Sequence, residues 1–213
     1  AYITAGSGSR LKGFVLRDCV FNGSDPEQWS KLTKSGLSGI VVSAYIDSLL
    51  IENNHISNVK ALGININGQL CGVDYKGVKN EKSGKGVVIR NNYLENIGKD
   101  GIFVNNCYEP LVEYNVVNKA HSYAQNTHHV AIWAFASYGA LFQYNEAYDT
   151  KTIYDGQGFD CDYECYDTTF QYNYSHDNTG GFMLICVEPS AAWMPKGYSY
   201  NVGSTVRYNI SQN

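Results

Sequence analysis

The chain has little charge, little proline and no long apolar run. Of its 213 residues only 17% are charged, which is low for a compact globule. Lys and Arg number 16 against 20 Asp and Glu, giving a formal net charge of −4. No basic field draws the chain to nucleic acid or to an anionic membrane surface. No apolar run approaches the roughly 18 residues that a membrane-spanning helix needs. No leader-like segment opens the chain, which says little, because both ends read as cut. The chain stops at VRYNISQN, which reads as the start of a repeat. The expectation is one domain over 1–213, a fragment of a longer chain. The six cysteines (19, 71, 107, 161, 165, 186) lack the paired CxxC spacing of a zinc site. Several fall where the pattern below points inward, so buried free thiols are expected. A Cys161–Cys165 bridge across a short turn stays open, and cysteine usage leaves the redox compartment undecided.

What the chain does have is Tyr (18), Gly (21) and recurring Asn pairs, against only 4 Pro. These suit a β-rich, turn-rich protein with polar faces. A short block of an apolar residue followed by Asn-Asn or Tyr-Asn returns along the chain. It reads IENN (51–54), IRNN (89–92), VEYN (112–115), FQYN (142–145), FQYN (170–173) and VRYN (206–209). The earlier LRDC at 16–19 fits loosely. Successive blocks are 38, 23, 30, 28 and 36 residues apart. A helical-repeat array keeps a fixed period, whereas a β-helix keeps its strands and varies its loops.

A second block follows most of the first. It reads GIVVSA (39–44), GININGQ (63–69), GIFVNN (101–106), AIWAFA (131–136), GFDCDY (158–163) and GFMLIC (181–186). The second column (Ile40, Ile64, Ile102, Ile132, Phe159, Phe182) and the fourth (Val42, Ile66, Val104, Ala134, Cys161, Leu184) are apolar throughout. Strand alternation sends both to one face, the expected core. The third column (Val41, Asn65, Phe103, Trp133, Asp160, Met183) and the fifth (Ser43, Asn67, Asn105, Phe135, Asp162, Ile185) then face outward. Coils stacked at about 4.8 Å would place the Asn corners in hydrogen-bonded ladders. This predicts an all-β, right-handed parallel β-helix of about six or seven coils.

From about Gly13 to Asn213 the chain resembles the right-handed parallel β-helix superfamily of pectate lyases, polygalacturonases and many phage tailspikes. Segments such as DGQGFDCDYECYDTTFQYNYSHDNTGGF look like those of large secreted bacterial β-helix proteins that act on polysaccharides. The resemblance implies a secreted or cell-surface carbohydrate-active protein with an active groove along one outward sheet.

The strongest candidate chemistry is Asp160 and Asp162, two apart on one strand. Two strand rises separate their side chains by roughly 6–7 Å. Inverting glycosidases leave about 6.5–9.5 Å between their carboxyls for a water, and mutual repulsion would raise one pKa. The pair also looks like that of polygalacturonase-type hydrolases, although the NTD and RIK-type segments of that family are absent. The same acids, with Asp155, could instead hold Ca²⁺, or form a solvated pair with no task. Trp133 and Phe103 lie in the outward column beneath Asp160. They form a candidate sugar platform unless the loop at 116–129 covers Trp133. His176 is a candidate catalytic helper. His129, Glu146 and Glu188 are candidate substrate contacts.

Residues 130–186 contain one Lys and no Arg, which favours a neutral glycan or a uronate held through metal. The leading expectation is a glycoside hydrolase with no cofactor. The alternatives are a calcium-dependent polysaccharide lyase, or a non-catalytic glycan-binding or structural module. The expected partner is a polysaccharide, with no nucleic acid and no membrane. Self-association through uncapped ends is a further expectation. Sequons at Asn22, Asn173 and Asn209 include two ladder positions, where glycosylation is not expected.

Overall fold

The computed structural model describes residues 1–5, 9–32, 37–69, 83–123, 127–152, 154–187 and 201–212. The strands form three parallel sheets that the chain visits in turn, one strand of each per coil. Sheet A holds Tyr2–Thr4, Ile40–Ser43, Ile64–Asn67, Ile102–Asn105, Ile132–Phe135, Phe159–Cys161 and Met183–Ile185. Sheet B includes Tyr45–Glu52, Gly84–Arg90, Leu111–Glu113, Leu141–Gln143, Thr169–Gln171 and Thr205–Arg207. Sheet C runs from Val20–Asn22 through His55–Val59, Tyr93–Ile97, Val116–Asn118, Glu146–Tyr148 and Tyr174–His176 to Ile210–Gln212. This is the expected parallel β-helix, with seven coils along sheets A and C.

The inward columns fill its core. Ile40, Ile64, Ile102, Ile132 and Phe159 stack in register and are fully buried, as are Val42, Ile66, Val104, Ala134 and Cys161. From sheet B come Ile51, Ile89, Val112, Phe142 and Phe170. The last two rings stack at 4.5 Å and 4°. Gly63 and Gly101 open their strands where the next coil comes close. A Cβ at Gly63 would lie 2.4 Å from the Gly101 carbonyl oxygen.

The corner between sheets B and C explains the Asn blocks. Its first residue is left-handed in every coil: Asp18, Asn53, Asn91, Tyr114, Tyr144, Tyr172 and Tyr208 have φ of 54–56°. Asp and Asn tolerate that conformation, while other residues strain by about 1–2 kcal/mol. The four Tyr rings stack on one another at 4.9–5.2 Å, which offsets about 0.5–1.5 kcal/mol per pair. The next residue is the ladder Asn. Each side-chain amide donates to the Oδ1 of the Asn above, from Asn54 through Asn92, Asn115, Asn145 and Asn173 to Asn209, at 2.9–3.1 Å. Asn173 is 1% exposed, so its sequon is closed to glycosylation.

One expected alignment is corrected. In the top coil Met183 pairs with Phe159, Leu184 with Asp160 and Ile185 with Cys161. The strand is therefore one residue out of phase with the column reading. A one-residue shift moves every side chain to the opposite face. The phase changes at the turn ending in Gly181, which holds φ 82°. The five described cysteines (19, 107, 161, 165, 186) are free thiols, and Cys107, Cys161 and Cys165 are buried. Cys71 and Glu188 lie outside the described residues.

Candidate active site

The outward face of sheet A carries one continuous column, Tyr2, Val41, Asn65, Phe103, Trp133, Asp160 and Leu184. Phe103 and Trp133 are one coil apart and stack face to face, 3.8 Å between centroids and 5° between planes. They were expected to offer a platform to a sugar, but each covers a face of the other. Phe103 lines a groove of about 410 Å³ with Tyr2, Val41, Asn65, Lys99 and Asp100. Trp133 lines a much smaller cavity of about 50 Å³ with His128, Val130, Asp155, Asp160 and Asp162. The stacked rings partition the two spaces, and His129 lines both.

Asp160 points outward, as strand alternation requires, yet it is only 3% exposed. The outward placement holds, but this part of the outer wall is covered. The segment His128–Val130 and the turn at Asp155 enclose this stretch of the sheet, and their main chains bridge at His129 and Asp155. Asp160 Oδ1 has no hydrogen-bond partner. Burial first, then the charges of Asp162, Cys161, Asp155 and Asp100, push its pKa up to about 9. A buried carboxyl with no cation beside it stays neutral at pH 7.

Asp162 follows the strand and is half-buried. Burial raises its pKa, opposed by the Tyr163 N–H that donates to Oδ1 at 2.7 Å. Asp160, Asp162 and Cys186 bring a ligand atom each within 4.8 Å of one another. Asp160 and Asp162 line the same cavity. Cys186 reaches this face through the phase change in the top coil. Calcium takes six to eight oxygens; Asp155, Asp160 and Asp162 supply three carboxyls at this cavity, beside the Cys186 thiol.

A buried pair stands beside the acids. His129 Nδ1 lies 2.9 Å from Asp100 Oδ2, and Asp100 Oδ1 accepts from the Val130 N–H at 3.0 Å. Their side chains are 14% and 4% exposed. Two further buried polar atoms lack partners, His129 Nε2 and Trp133 Nε1. Both residues line the cavity beside Asp160. His128 Nδ1 meets Asp155 Oδ1 at 3.2 Å, and the Asp155 side chain is 20% exposed.

The structure thus brings together Asp155, Asp160, Asp162, Trp133 and His129, with Phe103 on the far side of the ring stack. It separates His176 and Glu146 from them. Both sit on sheet C, where His176 Nε2 lies 3.0 Å from Glu146 Oε1 and Nδ1 lies 2.7 Å from Asp177 Oδ2. Both residues lie in strands that are adjacent to one another, one coil apart, and not beside the acid strand. Asp100 was missed in the sequence reading. It stands two residues before Ile102, as Val130 stands two before Ile132, so counting back from the strands would have paired them.

A family model described as "Right handed beta helix region" matches residues 3–124. A lacto-N-biosidase of Bifidobacterium longum subsp. longum is 33% identical over 142 residues, which are 60% of this chain and 8% of that protein. The crystal structure of the GH136 lacto-N-biosidase from Eubacterium ramulus superposes with a TM-score of 0.71 at 21% identity. That match covers 98% of this chain and 36% of the other, and it speaks to the fold. This chain therefore spans well under half the length of either enzyme. With its coils, registers and more than half its length matching, the chain belongs to the right-handed β-helix family.

Proposed function

We propose that this chain carries the active site of a glycoside hydrolase whose substrate lies along the outward face of sheet A. The observation that carries the reading is the cavity itself. Three carboxyls converge on it, and it holds three buried polar atoms without partners. The similarity to two lacto-N-biosidases supports the same class and suggests a lacto-N-biosyl glycan.

Asp162 is the acid that combines a raised pKa with partial exposure, so it can hold a proton for the leaving glycosidic oxygen. Asp155, also partly exposed at the same cavity, is the second carboxyl. Asp160 is enclosed and neutral, and serves beneath them as a hydrogen-bonding group. The groove beyond Phe103 has the volume of a ligand site, about 300–1,000 Å³. It would take further sugar units. A glycan substrate places the protein outside the cell or at its surface, as part of the same proposal.

The test uses the full-length protein, a chromogenic lacto-N-bioside and a panel of oligosaccharides, with products weighed by mass spectrometry. Asp162→Asn and Asp155→Asn should each lower kcat by about 10²–10⁴-fold with unchanged melting. Asp160→Asn should keep at least about a tenth of the activity. Full activity in Asp162→Asn would reject Asp162 as the acid, and glycan binding without cleavage by the wild type would reject the hydrolase reading.

A further inference from the structure

Two of the three unpartnered buried atoms at the cavity have opposite characters. Trp133 Nε1 carries a proton and can only donate. His129 Nε2 has its character set by Asp100. The carboxylate accepts twice, from the Val130 N–H and from the imidazole. Neutral His129 then carries its proton on Nδ1, which leaves Nε2 bare as an acceptor. Both residues line a cavity of about 50 Å³, and both atoms are buried. One water needs about 10–15 Å³ of such space, so there is room for more. A buried donor and a buried acceptor left empty would each cost about as much as a lost hydrogen bond. A hydroxyl is the compact group that serves both, accepting from the indole and donating to the imidazole.

We infer that His129 is a substrate-contacting residue whose bare nitrogen, held by Asp100 as its positioning residue, accepts a hydrogen bond from a sugar hydroxyl in this cavity while Trp133 donates to the same oxygen. The inference rests on the hydrolase reading for its substrate, but not for its geometry. It gives the site a recognition element built from the loop before the Trp133 strand and the turn before the Phe103 strand, in addition to the acids.

Asp100→Asn tests it with little change of shape. The Val130 N–H keeps the amide oxygen, so the amide nitrogen faces His129 Nδ1. The imidazole must then move its proton to Nε2, so that His129 and Trp133 both present donors. Nitrogen-15 NMR of His129 at pH 8 should show a bare Nε2 in the wild type and a protonated Nε2 in Asp100→Asn. The variant should lose about 10- to 100-fold in kcat/KM. In a series of monodeoxy substrates, one should lose a similar factor with the wild type and little further with Asp100→Asn. His129→Gln, which keeps an acceptor oxygen in reach, should retain more activity than His129→Phe.

A protonated Nε2 in the wild type would overturn the inference. So would an Asp100→Asn variant that swaps the tautomer yet cleaves every substrate at the wild-type rate. Failure of the hydrolase reading shows separately, as no cleavage by the wild type. In that case the His129 Nε2 signal is followed while lacto-N-biose is added. A shift of that resonance sustains the inference, and its absence ends it.

Discussion

Two outward faces of this solenoid carry nearly the same kinds of residue and differ in what those residues lack. On sheet C, the rings of Tyr148 and Tyr174 flank His176 at 4.7 and 4.4 Å. Glu146 and Asp177 hold both imidazole nitrogens, and Glu95 meets His55 Nε2 at 3.0 Å. Tyr174 donates to Gln212. Among the described strands of that sheet, Asn118 Oδ1 is the one buried side-chain polar atom without a partner. On sheet A, Trp133 and Asp160 each keep a buried polar atom unpaired around one cavity, as does His129 in the segment before the Trp133 strand. The difference is a cover. The segment at His128–Val130 and the turn at Asp155 enclose sheet A at the acid strand. Residue type alone does not separate the two faces. Enclosed polar groups that the protein does not satisfy mark the one prepared for a ligand.

The largest expected effect breaks the comparison if it is absent. Asp162→Asn should cost activity by about 10²–10⁴-fold, while His176→Ala on the other face should change kcat/KM less than about threefold. Equal losses would mean the two faces work together.

The next effect concerns stability and pH. Asp160 has a folded pKa of about 9 against an ordinary aspartate value of 3.8. The folded state therefore holds a proton that the unfolded state has released between those values. Stability should fall as pH rises from about 4 to 9, by up to about 1.4 kcal/mol per pH unit. Asp160→Asn should remove that contribution, so urea midpoints at pH 5 and pH 8 should lie closer together in the variant than in the wild type.

Asn145→Ala removes the acceptor used by the Asn115 side chain and backbone N–H, and the donor to Val112 and Asn173. It should cost about 1–3 kcal/mol of unfolding free energy without altering kcat per folded molecule. The smallest effect is on sheet C. Burial lowers the His176 pKa, but its hydrogen bonds to Asp177 and Glu146 outweigh burial and leave the pKa raised. Its contribution is present below the unfolded pKa near 6.5 and lost as pH rises through the folded value. His176→Ala should cost less than about 1 kcal/mol at pH 5.5 and less still at pH 8.5. A difference of melting curves at the two pH values checks this.

The amino-acid sequence by itself determined the coil. Alternation of apolar residues at Ile102 and Val104, Asn after a left-handed corner, and loops of unequal length specify a parallel β-helix, because each is a local requirement that repeats. It also placed Asp160, Asp162 and Trp133 on one outward sheet. Only the tertiary structure decided which of those groups are enclosed and left unpaired. The Asp100–His129 contact spans two coils, and the phase of the top coil turns on Gly181. The cover over Asp160 comes from segments outside the repeat. Such relations depend on where variable loops return in space, and side-chain periodicity carries no information about that.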